Sequence, residues 1–438
     1  MAEILPFRGI RYSSAGKPDL DKVVSPPYDV ISSAQRKELH ERDQHNFVRL
    51  VLGEDLPNDE SCNRFTRAGQ YLREWLRNGI FACDDKPAFY AYQQVYKRRG
   101  RERTVSGFIA LVKIHDYADR VILPHEKTLA KPKPGLLALM RQTRANLDSI
   151  YSLYEDPSGA AGEVISRTLA MPPASEAHDY NGELHRLWII DDSAAIRKLQ
   201  DALADRQIAI ADGHHRYETA LAYRDEIRQQ HPNAENPPSE YVLMTLVDAD
   251  SRDLTIFPTY RVVGNVDAGR IASLPSELPK RFRLQPSSPE SLLDDMAAAG
   301  HDALGAYLGN GGGAYVLRAH PDRLPVSVEG EPEPVRRLPV TALHRLILDE
   351  CLGIGAESLL NEANVTYTRD ERQAFAMVDR EGYQAAFFLN ETPVRDVIEV
   401  AKSGGKMPQK ATYFYPKLLS GLVLRLMNDP ASEEVVTL

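Results

Sequence analysis

The chain has 438 residues, 43% hydrophobic, 26% charged and 8% aromatic, and its 53 Lys+Arg against 62 Asp+Glu give a formal net charge of −9. These proportions are ordinary for a globular protein of two or three domains. They exclude a disordered tail, and they offer nothing to a nucleic acid or an anionic membrane outside a local basic patch. Three cysteines without a C-x-x-C pair exclude a disulfide scaffold and fit a reducing compartment.

Residues 1–53 read as short extended pieces with one helix. Val23-Val24-Ser25 runs extended into Pro26-Pro27, because a residue before proline avoids the helical region. Tyr28-Asp29-Val30-Ile31 then forms a turn that presents Asp29, and Ser32 or Ser33 caps a helix beginning near Ala34. Phe65, Ala68, Leu72, Trp75 and Leu76 at helical spacing predict a helix from Asn63 to Asn78. A hairpin follows, with strands near 89–96 and 104–111 and a basic tip at Lys97-Arg98-Arg99-Gly100-Arg101 that reads as a solvated turn.

The stretch 123–135 carries three prolines, His125, Glu126 and three lysines, which makes it a chemically equipped loop ahead of a helix from Leu136 to Leu147. A strand at Leu184–Ile190, a helix from Ser193 to Asp205 and a buried strand at Gln207–Ala211 come next. That strand runs directly into Asp212-Gly213-His214-His215-Arg216 and a helix from Tyr217 to Gln230, before strands at 241–247 and 254–257. Beyond Val262 strands and helices alternate, with helices near 341–352 and 370–379 and a final helix from Leu418 to Met427. The glycine-rich 308–314 lacks the spacing of a phosphate loop and reads as a hairpin turn. The fold class is thus α/β or α+β, in a part spanning 1–261 and a packed C-terminal α/β part spanning 262–438 that contributes to the same cleft. No apolar run approaches the ~20 residues that span a bilayer, and the first residues lack the order of a secretory signal, so a cytoplasmic protein is expected.

The sharpest chemical feature is the strand-to-helix turn at 212–216. A strand that breaks at a glycine and opens a helix aims backbone N–H groups and a positive dipole at one point, which is how an anion site is made. His214, His215 and Arg216 add donors suited to phosphate oxygens, and Asp212 at the strand end can hold a histidine tautomer, a metal or a substrate hydroxyl. The plainer alternative is a helix cap with solvated first-turn residues; cations are unwelcome at a helix N-terminus unless an anion joins them, which favours the anion site. A second cluster, His125-Glu126-Lys127, has Leu129 where H-E-x-x-H needs a histidine, so it is no metalloprotease motif, though it retains acid/base and charge-neutralising groups. Arg141, Arg144 and Asn146 follow on the next helix and can extend that site. The third cluster lies between Lys410 and Lys417 around Tyr415, either a ligand contact or an aromatic core segment with exposed lysines.

Pro6-Phe-Arg8, Ser25-Pro-Pro-Tyr-Asp-Val30, His125-Glu-Lys-Thr128, Ala211-Asp-Gly-His-His-Arg216, Phe257-Pro-Thr259 and the 407–417 stretch together resemble the bacterial family catalogued as domain of unknown function 1015, in order and over nearly the whole chain. One departure is Tyr260, where the family pattern carries a histidine before the arginine. A more distant resemblance is to the ParB/sulfiredoxin superfamily, which includes free-serine kinases; residues 23–39 and 208–221 look like its two nucleotide-site elements, which makes about 54–190 an insertion.

The resemblance implies a nucleotide-dependent kinase of a small hydroxyl metabolite such as serine, using ATP or ADP with Mg²⁺. Gly213, His214, His215, Arg216 and Lys127 would hold phosphates. Asp29, Glu126, Asp212 or His214 would serve the proton transfer or the metal, and His125, Arg144, Asn146, Lys410, Tyr415 and Lys417 the substrate. The rivals are a phosphatase of a phosphorylated hydroxy amino acid and a non-catalytic nucleotide or metabolite sensor. No nucleic-acid or membrane partner is expected.

Overall fold

A computed structural model describes residues 1–427 except Lys17, 58–61, Arg99, 127–133, Asn310 and Ser327. Lys127 therefore lies outside the described residues. The described chain divides into two compact units: residues 1–124, 134–254 and 416–427 form the first, and residues 125–126 and 255–415 the second. The division falls at 254, and the segment from Pro416 returns to the first unit. No described helix is long and apolar enough to cross a membrane.

The first unit is built on a mixed nine-stranded sheet. Its spatial order is Ile122–Leu123, Ile208–Asp212, Ile150–Tyr154, Tyr241–Asp248, Arg101–Lys113, Phe89–Arg98, Leu184–Ile190 and Ser175–His178, with Ile4–Leu5 also pairing Arg101–Lys113. The stretch 54–190 is thus part of this sheet's centre. The expected hairpin is present, with Arg98 opposite Arg101 and Tyr90 opposite Ile109. Ile208–Ala211 is an unbroken apolar run because it lies between two strands, parallel to Ile122–Leu123 and antiparallel to Ile150–Tyr154, and is buried on both faces. Phe89, Phe108, Tyr154, Trp188, Ile210 and Leu246 meet in the core of this unit.

Helices follow their sequence signals. Ser32 caps Ser33–Arg42 in a reciprocal capping box with Gln35, and Asn63 caps Arg64–Arg77. Three expectations are corrected. Val23 closes a short helical turn, Leu20–Val23, so the extended approach to Pro26 is confined to Val24 and Ser25. The helix expected over 136–147 runs Pro134–Thr143 and stops because Arg144 adopts a left-handed φ of 48°. The final helix does not form. Gly421 turns the chain with φ +103°, and the segment lies extended against other parts of the unit: Ser420 bridges Ser25, Leu424 bridges Ile10, and Arg425–Leu426 pairs Ala145–Asn146. An apolar run buried on most sides carries no helical stripe, so its periodicity cannot separate helix from strand.

The second unit holds a six-stranded, wholly antiparallel sheet in the order Phe282–Ser287, Gly313–Ala319, Leu304–Leu308, Ala385–Leu389, Tyr260–Val263 and Val365–Thr368. Leu304–Leu308 and Gly313–Ala319 make the hairpin expected around 308–314. Arg261 is wholly buried in this unit, and among the described residues no carboxylate pairs with it. Its guanidinium donates to the carbonyl oxygens of Thr259, Gln409 (3.2 Å) and Lys410 (3.3 Å), tying the strand Tyr260–Val263 to the 409–410 turn, and burial lowers its pKa to about 10. Arg261→Ala strands three carbonyls and leaves a cavity, so a loss of about 3 kcal/mol or more is expected by denaturant unfolding. A loss under about 1 kcal/mol would show that these contacts are incidental.

Candidate functional site

In the first unit the strand Ile208–Asp212 ends at a register shift that sets Asp212 opposite Tyr151. Gly213 follows with φ +94°, and the helix opens one turn earlier than its apolar periodicity indicates, spanning His214–Gln230. Arg216 N–H and Tyr217 N–H both donate to the Gly213 carbonyl, at 2.9 and 3.1 Å. The turn requires glycine twice over. Its φ is left-handed, and a Cβ there would stand 2.9 Å from Arg216 Nε and 3.0 Å from Cζ.

Arg216 therefore folds back across the turn instead of pointing outward. Its guanidinium donates to the Ser149 carbonyl and lies 3.7 Å from Asp212 Oδ2. Lys417 Nζ reaches the same carboxylate oxygen at 3.1 Å, with both side chains largely shielded from solvent. Burial opposes the Asp212 charge, but Lys417 and Arg216 outweigh it and hold its pKa below the ordinary aspartate value. Burial likewise opposes the Arg216 charge, and Asp212, Asp148, Asp29 and Tyr28 more than restore it.

Asp148 behaves in the opposite way. Burial pushes its pKa up, against the pull of Arg216 and a hydrogen bond from Ser420, and its Oδ1 is solvent-inaccessible with no hydrogen-bond partner. Asp29 sits exposed on the Pro26-Pro27 turn, which closes with Val30 N–H on the Pro27 carbonyl at 3.1 Å. Burial and the neighbouring Asp29 charge raise the Tyr28 phenol. Tyr28, Leu139, Met140, Leu147, Asp148 and Arg216 help line a pocket of about 50 Å³ beside this cluster.

The expected residues divide as follows. Asp29, Asp212, Gly213, Arg216 and Lys417 gather in the first unit around one guanidinium. His214 is in the same turn but buried, and His215 Nδ1 lies 3.5 Å from Glu218 Oε2. Arg144, placed for substrate, is the exposed residue that ends its helix; Asn146 is buried and accepts from Arg425 at 3.2 Å. These two have structural duties, because a left-handed helix end and a strand pair fix them.

His125, Glu126, Lys410 and Tyr415 belong to the second unit. His125 is wholly buried, with Nε2 2.9 Å from Thr412 Oγ1, and that hydroxyl donates to Glu126 Oε1 at 3.2 Å. Lys410 pairs with Glu362 and lies over the Tyr367 ring, while Tyr415 stacks on Phe257 with centroids 4.3 Å apart. Tyr260 is a core side chain packed against Phe388.

Sequence reasoning missed Asp148 and Ser149. Both follow directly on the helix expected over 136–147, and no motif or spacing marks them.

Comparison with family models matches residues 4–341 to the family described as Protein of unknown function (DUF1015). Comparison with curated proteins gives no match. Similar solved structures include a free serine kinase in complex with AMP, at 12% identity and TM-score 0.34, covering 69% of this chain and 89% of that one. A conserved hypothetical protein from Pyrococcus furiosus aligns at 12% identity and TM-score 0.33, covering 69% of this chain and 92% of that one. SbnI with C-terminal truncation from Staphylococcus aureus aligns at 10% identity and TM-score 0.34, covering 75% and 92%.

Two outcomes follow from the turn. Gly213→Ala is expected to cost about 1–2 kcal/mol from the left-handed φ alone, and more if Arg216 is displaced; a neutral melt would overturn the geometry. For Asp148, a raised folded-state pKa means that stability present at low pH is lost as pH rises from the ordinary aspartate value through the raised one. The stability of Asp148→Asn minus that of the unsubstituted protein should therefore grow with pH across that window and be flat above it, as read by urea titration; a difference that shrinks with pH would contradict the assignment.

Proposed function

The chain belongs to the DUF1015 family, and we propose from the geometry of the first unit that it is a phosphate-handling enzyme, a nucleotide-dependent phosphotransferase acting on a small hydroxyl metabolite. The observation that carries this reading is the convergence of Arg216 and Lys417 on Asp212 at the amino end of the helix His214–Gln230. Two cations and a helix N-terminus suit phosphate oxygens, and the flanking carboxylates suit a proton and a divalent ion, the combination that phosphoryl transfer requires.

Roles follow from environment. Lys417, Arg216 and the backbone of the Gly213 turn hold the phosphates, with His215 at the exposed edge of the same turn. Asp148, whose carboxyl burial pushes up, is better suited to accept the hydroxyl proton than Asp212, which its cations hold down. Exposed Asp29 is a hard oxygen donor, and Mg²⁺ needs only one or two carboxylates beside phosphate and water. Asp29 would hold it there, and bound Mg²⁺ neutralises phosphate charge. The pocket is small, about 50 Å³, which would limit the acceptor to a small molecule such as serine.

The test is incubation of the protein with Mg²⁺ and labelled ATP or ADP together with a panel of hydroxy metabolites that includes serine. A phosphorylated acceptor is the expected product. Lys417→Ala should weaken nucleotide binding roughly 10- to 100-fold, the worth of one hydrogen bond to a charged group. Turnover with no nucleotide in the panel, or binding indifferent to Lys417→Ala, would overturn the reading. Phosphate released from phosphoserine without nucleotide would identify a phosphatase, and saturable binding without turnover a sensor.

A further inference from the structure

A second cluster lies in the first unit, on the hairpin that joins Ser175–His178 to Leu184–Ile190. The turn between these strands is closed by Gly182 N–H on the Asp179 carbonyl (3.1 Å) and Asp179 N–H on the Glu183 carbonyl (2.9 Å). Asp179 Oδ1 accepts the N–H groups of Asn181 (2.8 Å) and Glu183 (2.9 Å), which fixes the carboxylate; Oδ2 accepts a long contact from Asn181 Nδ2 (3.5 Å) and faces His185. Glu183 stands in the turn directly before the strand Leu184–Ile190, two residues from His185.

His185 is wholly buried, and its Nδ1 lies 2.6 Å from the Tyr92 hydroxyl, which also accepts the Leu419 N–H. Its Nε2 is buried with no hydrogen-bond partner. The nearest ion-pair contact of Nε2 is Asp179 Oδ2 at 3.8 Å, too far for a hydrogen bond. Donors about 2.0–2.1 Å from one tetrahedral ion stand about 3.4 Å apart, so the gap is close to that of two ligands sharing a metal. One ligand atom each from Asp179, Glu183 and His185 fall within 4.8 Å of one another.

We propose that Asp179, Glu183 and His185 form a binding site for a divalent transition-metal ion, distinct from the Arg216 cluster and independent of the phosphotransferase reading. Two carboxylate oxygens and one imidazole nitrogen form a set that suits zinc or manganese; magnesium prefers oxygen ligands alone. Binding through Nε2 requires the tautomer with the proton on Nδ1, 2.6 Å from the Tyr92 oxygen, which would then accept it as the outer contact that orients a ligating histidine. The ion would cross-link the hairpin turn to a buried strand position.

Zinc alone is the probe, titrated calorimetrically or against a chromophoric chelator. The expected result is one equivalent bound by the unsubstituted protein, with affinity lower by roughly tenfold or more in both Glu183→Gln and Asp179→Asn, and a melting temperature that zinc raises only in the unsubstituted protein. Glu183→Gln keeps the size and polarity of a partly exposed side chain, and Asp179→Asn keeps the oxygen that accepts the turn's N–H groups, so metal-free melting verifies that each is folded. Absence of zinc binding, or binding that both substitutions leave unchanged, would overturn the site.

Discussion

The contact between Lys417 and Asp212 is the one on which the candidate site depends. Asp212 is held at the end of a strand buried on both faces, and Lys417 arrives on a segment remote in sequence that returns to the first unit. That segment is sewn down by backbone pairs. Ser420 N–H donates to the Ser25 carbonyl at 2.9 Å and Ser25 N–H to the Ser420 carbonyl at 3.1 Å, while Leu424 and Ile10 exchange the same pair of bonds at 2.9 Å each. Arg425, buried beyond them, donates to the carbonyls of Tyr241 (2.8 Å) and Pro238 (2.7 Å). One extended run thus holds the Pro26-Pro27 turn through Ser25, supplies the Ser420 hydroxyl to Asp148, and brings an ammonium group to Asp212. Without it the shielded Asp212 and Asp148 would share a single guanidinium, an imbalance costly away from water.

The two shielded aspartates show how environment separates like groups. Both feel burial first. Asp212 has two cations and the Gly213 N–H to offset it and stays ionised; Asp148 has one shared guanidinium and a hydroxyl, and its pKa moves up. A pair of carboxyls pushed in opposite directions beside one cation is a way to place a proton acceptor next to a fixed charge.

Much of this was legible in the sequence where local chemistry dictates structure. Capping residues at Ser32 and Asn63, the basic hairpin tip, and an apolar run breaking at Asp212-Gly213 each leave a signature of a few residues. The site was legible in half: Asp29, Asp212, Gly213, Arg216 and Lys417 were picked out by residue type and a cleft shared with the C-terminal part was expected, while the contacts that bring Arg216 and Lys417 onto Asp212 were not, since a pairing between distant segments has no period. Leu418–Met427 shows the limit most clearly. Its apolar residues pack on several sides in extended form, which erases the alternation that marks a strand. Asp148 and Ser149 were hidden for a different reason: they follow the helix expected over 136–147 directly, in a stretch with no motif, and the sequence does not show that the left-handed Arg144 ends that helix early.

The conflict between a cation and a helix N-terminus is resolved here by the protein itself. Arg216 sits at the positive end of its helix, and the anions that join it are Asp212, Asp148 and Asp29. A ligand phosphate on the proposed reading therefore does not fill a ready-made cationic cup; it must exchange with carboxylates already drawn to the guanidinium. A bare phosphate would meet those carboxylates as like charges and gain little. A phosphate accompanied by a divalent ion gives the carboxylates a cation of their own and leaves Arg216 and Lys417 to the phosphate oxygens, so both halves of the cluster are satisfied together. On the proposed reading, the same acidic surroundings would disfavour free inorganic phosphate at this turn and favour a metal–nucleotide complex.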